Sequence, residues 1–218
     1  MDQCTLGGGI VEGDDPADLA ATYPIVEIFN SVQGEGAHTG IPSIFIRFGN
    51  CNLACEWRDT DFSKWTDMTV IDILGVVTGF TSKRVIFSGG EPALQDLWPL
   101  ARCLRRRGLH LAVESNGTIA IPQGLLDWIC ISPKDQMYPN VKIKQRTGDE
   151  LKVVYIGQDL SIYDDLKKGF EHHYLQPCYI ESESVEWNGR NFVATETLVK
   201  QNPGWRLSLQ TQKWMGVD

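Results

Sequence analysis

Arg84-Val85-Ile86-Phe87-Ser88-Gly89-Gly90-Glu91-Pro92 is the stretch that decides the fold. Val85, Ile86 and Phe87 are β-branched or aromatic residues in an unbroken apolar run, which predicts a buried strand. The Ser-Gly-Gly-Glu-Pro turn ends it, since glycine and proline interrupt regular structure. From Ala93 to Arg107 the apolar residues Leu94, Leu97, Leu100, Ala101 and Leu104 recur at helical spacing, which predicts an amphipathic helix. Strand, turn and helix in that order make a βα unit, the building block of a parallel sheet.

The pattern repeats on both sides. Upstream, Ser43-Ile44-Phe45-Ile46-Arg47-Phe48 is a nearly all-apolar first strand, as expected for one covered on both faces, and residues 69–78 carry a helical stripe. Downstream, strands are expected at Leu109–Val113, Trp128–Ile131, Leu151–Ile156, a short run ending in Tyr174-Leu175-Gln176-Pro177, and Arg206–Leu209. Helices are expected at Ile162–Phe170 and Phe192–Gln201. Polar turns stand at the carboxyl ends of the strands: Glu114-Ser115-Asn116-Gly117-Thr118 after one, Ser132-Pro133-Lys134 after the next. In parallel α/β folds ligands bind at those ends. The 218 residues fall below the roughly 250 of a complete eight-unit barrel. An α/β fold with an incomplete, open βα barrel is expected, in a single domain over residues 23–218. Residues 135–149 look like an irregular insertion, and residues 1–22, with Gly7-Gly8-Gly9 and Glu12, Asp14, Asp15 and Asp18, like a flexible extension.

Charge narrows the partners. Lys and Arg total 20 against 28 Asp and Glu, for a net charge of −8, which argues against a surface that wraps nucleic acid. Arg105-Arg106-Arg107 is read as the solvated, dipole-compensating end of a helix. No apolar run reaches the roughly 20 residues of a membrane span, and the first residues lack the basic and apolar regions of a signal peptide. A cytoplasmic location is expected, where the six cysteines need not pair.

Two of those cysteines sit on one loop, Cys51-Asn52-Leu53-Ala54-Cys55-Glu56-Trp57-Arg58-Asp59-Thr60, leaving the first strand. Thiolates on a single loop can ligate adjacent irons, although this spacing alone equally allows two ordinary cysteines. Arg47 is a charge in an apolar strand that needs a partner, so it is expected to point into the barrel. His172-His173 is placed on a solvent-facing turn and supplies too few ligands for zinc.

Gln33-Gly34-Glu35-Gly36, the cysteine loop and Ser88-Gly89-Gly90-Glu91-Pro92 together resemble the radical S-adenosylmethionine (SAM) superfamily and, more narrowly, the 7-carboxy-7-deazaguanine synthase family, over residues 23–218. The resemblance implies a lyase that contracts 6-carboxy-5,6,7,8-tetrahydropterin to 7-carboxy-7-deazaguanine with loss of ammonia, on the queuosine route. It implies a [4Fe-4S] cluster on Cys51 and Cys55, and SAM held by Trp57, Arg58, Asp59, Gly89, Gly90, Glu91, Ser132, Pro133 and Lys134. It also implies Mg2+ at Thr60. The pterin would meet Val32, Gln33, Gly34, Glu35, Arg47, Ser88, Gln212 and Asp218, with Arg47 pairing with its carboxylate. A homodimer and an external electron donor of flavodoxin or ferredoxin type are implied as well. The chain departs from the family twice: Arg58 stands where a third cluster cysteine is expected, and Gln212 where histidine is usual. Guanidinium is a hydrogen-bond donor with no lone pair for iron. Arg58 therefore motivates an alternative, a catalytically silent relative that keeps a SAM or pterin pocket.

Overall fold

The computed structural model describes residues 10–55, 60–138 and 140–215. Trp57, Arg58, Asp59, Asp218, Cys4 and the glycine run lie outside them. Among the described residues nine strands form one sheet in the order β3-β1-β2-β4-β5-β6-β7-β8-β9. The strands are β1 Thr22–Val32, β2 Pro42–Phe48, β3 Thr66–Thr69, β4 Arg84–Gly89, β5 His110–Ser115, β6 Trp128–Ile131, β7 Gly148–Tyr155, β8 Phe170–Pro177 and β9 Arg206–Leu207. From β2 to β9 every neighbouring pair is parallel, while β1 runs antiparallel to both β2 and β3. The sheet ends at β3 on one side and β9 on the other, so the barrel is open, as expected.

Alternation within the strands divides the sheet into two faces. Ile44, Ile46, Phe48, Val85, Phe87, Leu111 and Val113 turn outward. There they pack against α2 (Val70–Val77) and α3 (Trp98–Arg106) through Ile73, Leu74, Leu100 and Leu104. A second apolar cluster, with Leu151, Val153, Tyr163, Leu166, Leu175 and Trp205, continues this layer under α4 (Asp164–Lys167) and α5 (Val185–Gln201). The intervening residues, Arg47, Ser88, Glu114, Lys152 and Gln176, face the concave side. Each fully buried Leu or Ile of the outer layer contributes about 1.5–3 kcal/mol, so the outer layer holds the fold and the inner face is left for chemistry. α2 starts where the sequence predicts: the Thr69 hydroxyl accepts from Asp72 N at 3.3 Å and the Asp72 carboxylate from Thr69 N at 3.0 Å, a capping box.

Several expectations are corrected. Ser43–Phe48 is not the first strand, because β1 precedes it; Pro24, Glu27, Asn30 and Ser31 break the apolar run that a doubly covered strand would show. β3 was likewise not expected. The helix expected from Ala93 begins at Trp98: Pro92–Leu94 forms a 3-10 turn closed by extended Gln95 (φ −98°, ψ 151°). The span 162–170 holds a 3-10 turn, the four-residue α4 and the first residue of β8, because the chain turns at Gly169, where a side chain would overlap the Arg146 carbonyl. His172 and His173 lie inside β8 rather than on a turn.

The extension is also firmer than expected from Asp14 onward. Helix α1 (Pro16–Ala20) is capped by Asp15, and its buried Asp18 accepts from Arg102 Nε at 2.7 Å. Arg107, the arginine read as solvated, donates to Asp14 at 2.7 Å, and Arg105 pairs with Asp127 at 2.8 Å. The hydrogen bond from Arg107 holds the Asp14 carboxyl down at about 2. A depressed carboxyl stabilises the folded state above its unfolded value near 3.9 and stops doing so as pH falls through the folded value. Hydrogen-exchange protection over residues 10–21, taken relative to the intrinsic rate at each pH, should therefore be full above about pH 4 and fall between about pH 4 and 2, before the sheet loses its own.

Candidate functional site

A cavity of about 340 Å3 opens on the concave face at the carboxyl ends of the parallel strands. Cys51, Cys55 and Thr60 line it from the loop after β2, and Ser88, Gly89 and Gly90 from the turn after β4. Ser132 and Lys134 reach it from β6, and Val32, Gln33, Gly34 and Glu35 from the loop after β1, with Arg47 and Gln212. Most of the residues expected at the site thus meet in one space. Glu91 and Pro133 do not line it. Glu91 is fully buried and turned into the protein, where it accepts from Ala93 N at 2.9 Å, Ser115 Oγ at 2.8 Å and Asn116 N at 2.7 Å. Its place is between the turns after β4 and β5, and burial raises its carboxyl above the usual range. Glu91→Ala leaves a hydroxyl and two amides without an acceptor; a loss of about 3 kcal/mol in urea denaturation is expected, against little change if the latch is unimportant.

The two glycines earn their position in a way the sequence did not show. Gly89 has φ +105°, and a β-carbon on Gly90 would overlap the Asn50 carbonyl. Gly90 N donates to Phe48 O and Glu91 N to Asn50 O, both at 2.9 Å. The close approach is to the chain's own backbone just before Cys51, so the turn and the cysteine loop are locked together. Asn50 is the single described non-glycine residue with positive φ, at 67°.

Arg47 points into the cavity as expected, and it arrives already partnered. It is paired with Glu27 on β1, lies 5.0 Å from the Phe29 ring centroid and donates to Thr60 Oγ1 at 3.4 Å. Lys134 Nζ donates to Ser132 O at 2.6 Å and Ser132 Oγ at 2.7 Å, and burial lowers its ammonium below the usual range.

The sequence did not single out Lys152, Glu114, Gln176, Gln210 and Cys178, all on the cavity wall. Lys152 Nζ lies 2.8 Å from both Glu35 Oε2 and Glu114 Oε2 with its side chain 4% exposed. Glu114 also accepts from Gln33 Nε2 at 3.1 Å, and Glu35 from Gln210 at 2.9 Å and Gln212 at 3.3 Å. Burial alone would raise the Glu35 carboxyl, but the Lys152 ammonium and these amides outweigh it and hold it at about 2. The signal was present: Lys152 is a charge inside an apolar strand, the criterion that found Arg47. Burial pushes the Cys178 thiol up to about 11. Cys130 is buried beside Glu150 at 3.5 Å and does not line the cavity.

A cluster fits this donor set incompletely. Cys51 and Cys55 both line the cavity, yet no three His, Cys, Asp or Glu side chains among the described residues come together as a metal site. The third thiolate is missing from the sequence itself, where Arg58 stands. No described helix is long and apolar enough to cross a membrane.

No family model matches the chain. Curated relatives do. A protein of Bacteroides thetaiotaomicron named 7-carboxy-7-deazaguanine synthase is 42% identical over 193 residues, covering 88% of this chain and 97% of its own length. Namesakes from Neisseria meningitidis and Haemophilus influenzae are 36% identical over 206 residues and 37% over 213, covering 90% and 92% of this chain and 94% and 97% of their own. Among solved structures, the crystal structure of QueE from Escherichia coli matches with a TM-score of 0.66 at 28% identity, over 86% of this chain and 93% of that one.

Proposed function

The chain belongs to the 7-carboxy-7-deazaguanine synthase family, and from that premise we propose that it is a lyase forming 7-carboxy-7-deazaguanine from 6-carboxy-5,6,7,8-tetrahydropterin with loss of ammonia. The observation that carries this is convergence: the cysteine loop, the Gly89-Gly90 turn, the Ser132–Lys134 strand end and the Gln33–Glu35 loop share one cavity. Bound there, a cluster and SAM would supply the one-electron chemistry that starts the rearrangement. Cys51 and Cys55 are the residues that would hold the cluster. Gly89, Gly90, Ser132 and Lys134 would border SAM, together with Trp57 and Asp59, which lie outside the described residues.

The chain's own groups account for the substrate. A pterin presents an amide and an amino group along one edge, all donors but the carbonyl, and Glu35 and Glu114 are acceptors side by side on the wall. Arg47, on the wall of the same cavity, suits the substrate carboxylate, and its pairing with Glu27 and its place over the Phe29 ring hold it there. Thr60 would give magnesium one hydroxyl, with water and substrate oxygens completing the shell. A homodimer and an external one-electron donor belong to the same reading. No observation of the fold, the cavity or the relatives favours the catalytically silent alternative.

Anaerobic incubation of the reconstituted protein with SAM, a reductant and the tetrahydropterin tests the proposal, with the product read by mass spectrometry. Product from the chain is expected. Product from neither this chain nor Arg58→Cys, with iron bound in the latter, overturns it.

A further inference from the structure

We propose that Lys152 is a positioning residue that holds Glu35 and Glu114 together as acceptors, so that this wall of the cavity takes only the hydrogen-bond-donating edge of a substrate ring. The inference rests on the pterin reading above and adds the residue that enforces it.

Three observations lead there. Lys152 extends from β7, Glu114 from β5 and Glu35 from the loop after β1, so the ammonium ties three separate parts of the barrel at 2.8 Å to each carboxylate. All three line the cavity. Around them the amide groups take sides consistently. Gln33 and Gln210 spend donor nitrogens on Glu114 and Glu35, and Gln212 spends its own on Glu35 while its Oε1 remains buried without a partner. A buried acceptor left open is unfavourable, and a donor on the ligand relieves it. The wall is therefore built to meet N–H groups.

The role of Lys152 follows from charge. Two carboxylates sharing one buried site cannot both stay ionised without a cation; one takes up a proton and becomes a donor. Lys152 supplies that cation. The other groups facing the pair are Glu150, whose carboxyl burial raises, Cys130, whose thiol burial raises well above its usual value, and Lys134 across the cavity. None of these can replace the ammonium: Glu150 has the wrong sign, Cys130 is neutral, and Lys134 donates to Ser132.

The test uses 6-carboxypterin, with binding measured by equilibrium dialysis from about pH 8 to about pH 5 for the unsubstituted chain, Lys152→Met and Lys152→Arg. A flat profile, within about twofold, is expected for the unsubstituted chain, because Lys152 keeps Glu35 ionised throughout. Lys152→Met should lose about tenfold per pH unit once the unpaired carboxylates begin to share a proton, and Lys152→Arg should restore the flat profile. A merely structural lysine would weaken binding equally at every pH. If Lys152→Met does not fold, the unsubstituted profile still decides, since a tenfold fall above about pH 5 means that Glu35 is not held ionised and overturns the proposal. Binding by Lys152→Met with a flat profile overturns it too. No binding by the unsubstituted chain at any pH sinks the pterin reading and this inference with it.

Discussion

Arg58→Cys is expected to raise the iron retained after anaerobic reconstitution to about four per chain and to slow its removal by chelator. The unsubstituted chain brings Cys51 and Cys55 to the cavity, and the other sulfur there, Cys178, has its thiol pushed up to about 11 by burial and stays protonated at neutral pH. Thiolates, not thiols, ligate iron, and a guanidinium has no lone pair to offer. The unsubstituted chain should therefore hold its iron more loosely and release it first on gel filtration. Equal iron content and equal chelator resistance in the two proteins would mean that a ligand outside this set completes the cluster, and would remove the thiolate-count argument.

Gly90→Ala is expected to destabilise the protein by about 3 kcal/mol or more in urea denaturation. The added carbon would overlap the Asn50 carbonyl, and backbone, unlike a flexible side chain, cannot swing aside. The two hydrogen bonds joining the turn to residues 48 and 50 would be lost with it. Because Cys51 follows directly, the variant should also hold less iron even where it remains folded. A change below about 1 kcal/mol would mean that the turn and the cysteine loop move independently.

The parts of the fold that were legible were those where burial on both faces writes an unambiguous apolar run, β2, β4 and β6, and α2, whose helical stripe marks it. β1 was illegible for the opposite reason. It is an antiparallel strand near the rim whose concave side carries Glu27 and Phe29 beside Arg47, so no continuous apolar run marks it. The site divides in the same way. Residues in recognisable turns, such as Gln33, Gly89 and Lys134, could be found in sequence, and the structure brings them together. Lys152 and Gln210 could not be paired with Glu35 in advance, because which strand interiors face one another is a property of the sheet order. Glu91 is the converse case: its motif drew attention to it, and its carboxylate turns away from the cavity to accept from Ala93, Ser115 and Asn116.

The stitching of Gln210 and Thr211 to Gly34 and Glu35 has a consequence for synthesis. Thr211 N donates to Gly34 O at 3.0 Å, across 177 positions of sequence. On the ribosome, β1 through β8 can pair and bury their outward faces well before residue 210 leaves the exit tunnel. The concave wall closes only afterwards, when the late-emerging segment reaches back to the earliest loop. A chain ending at residue 205 would thus present a scaffold with an unfinished pocket, and could not bind substrate.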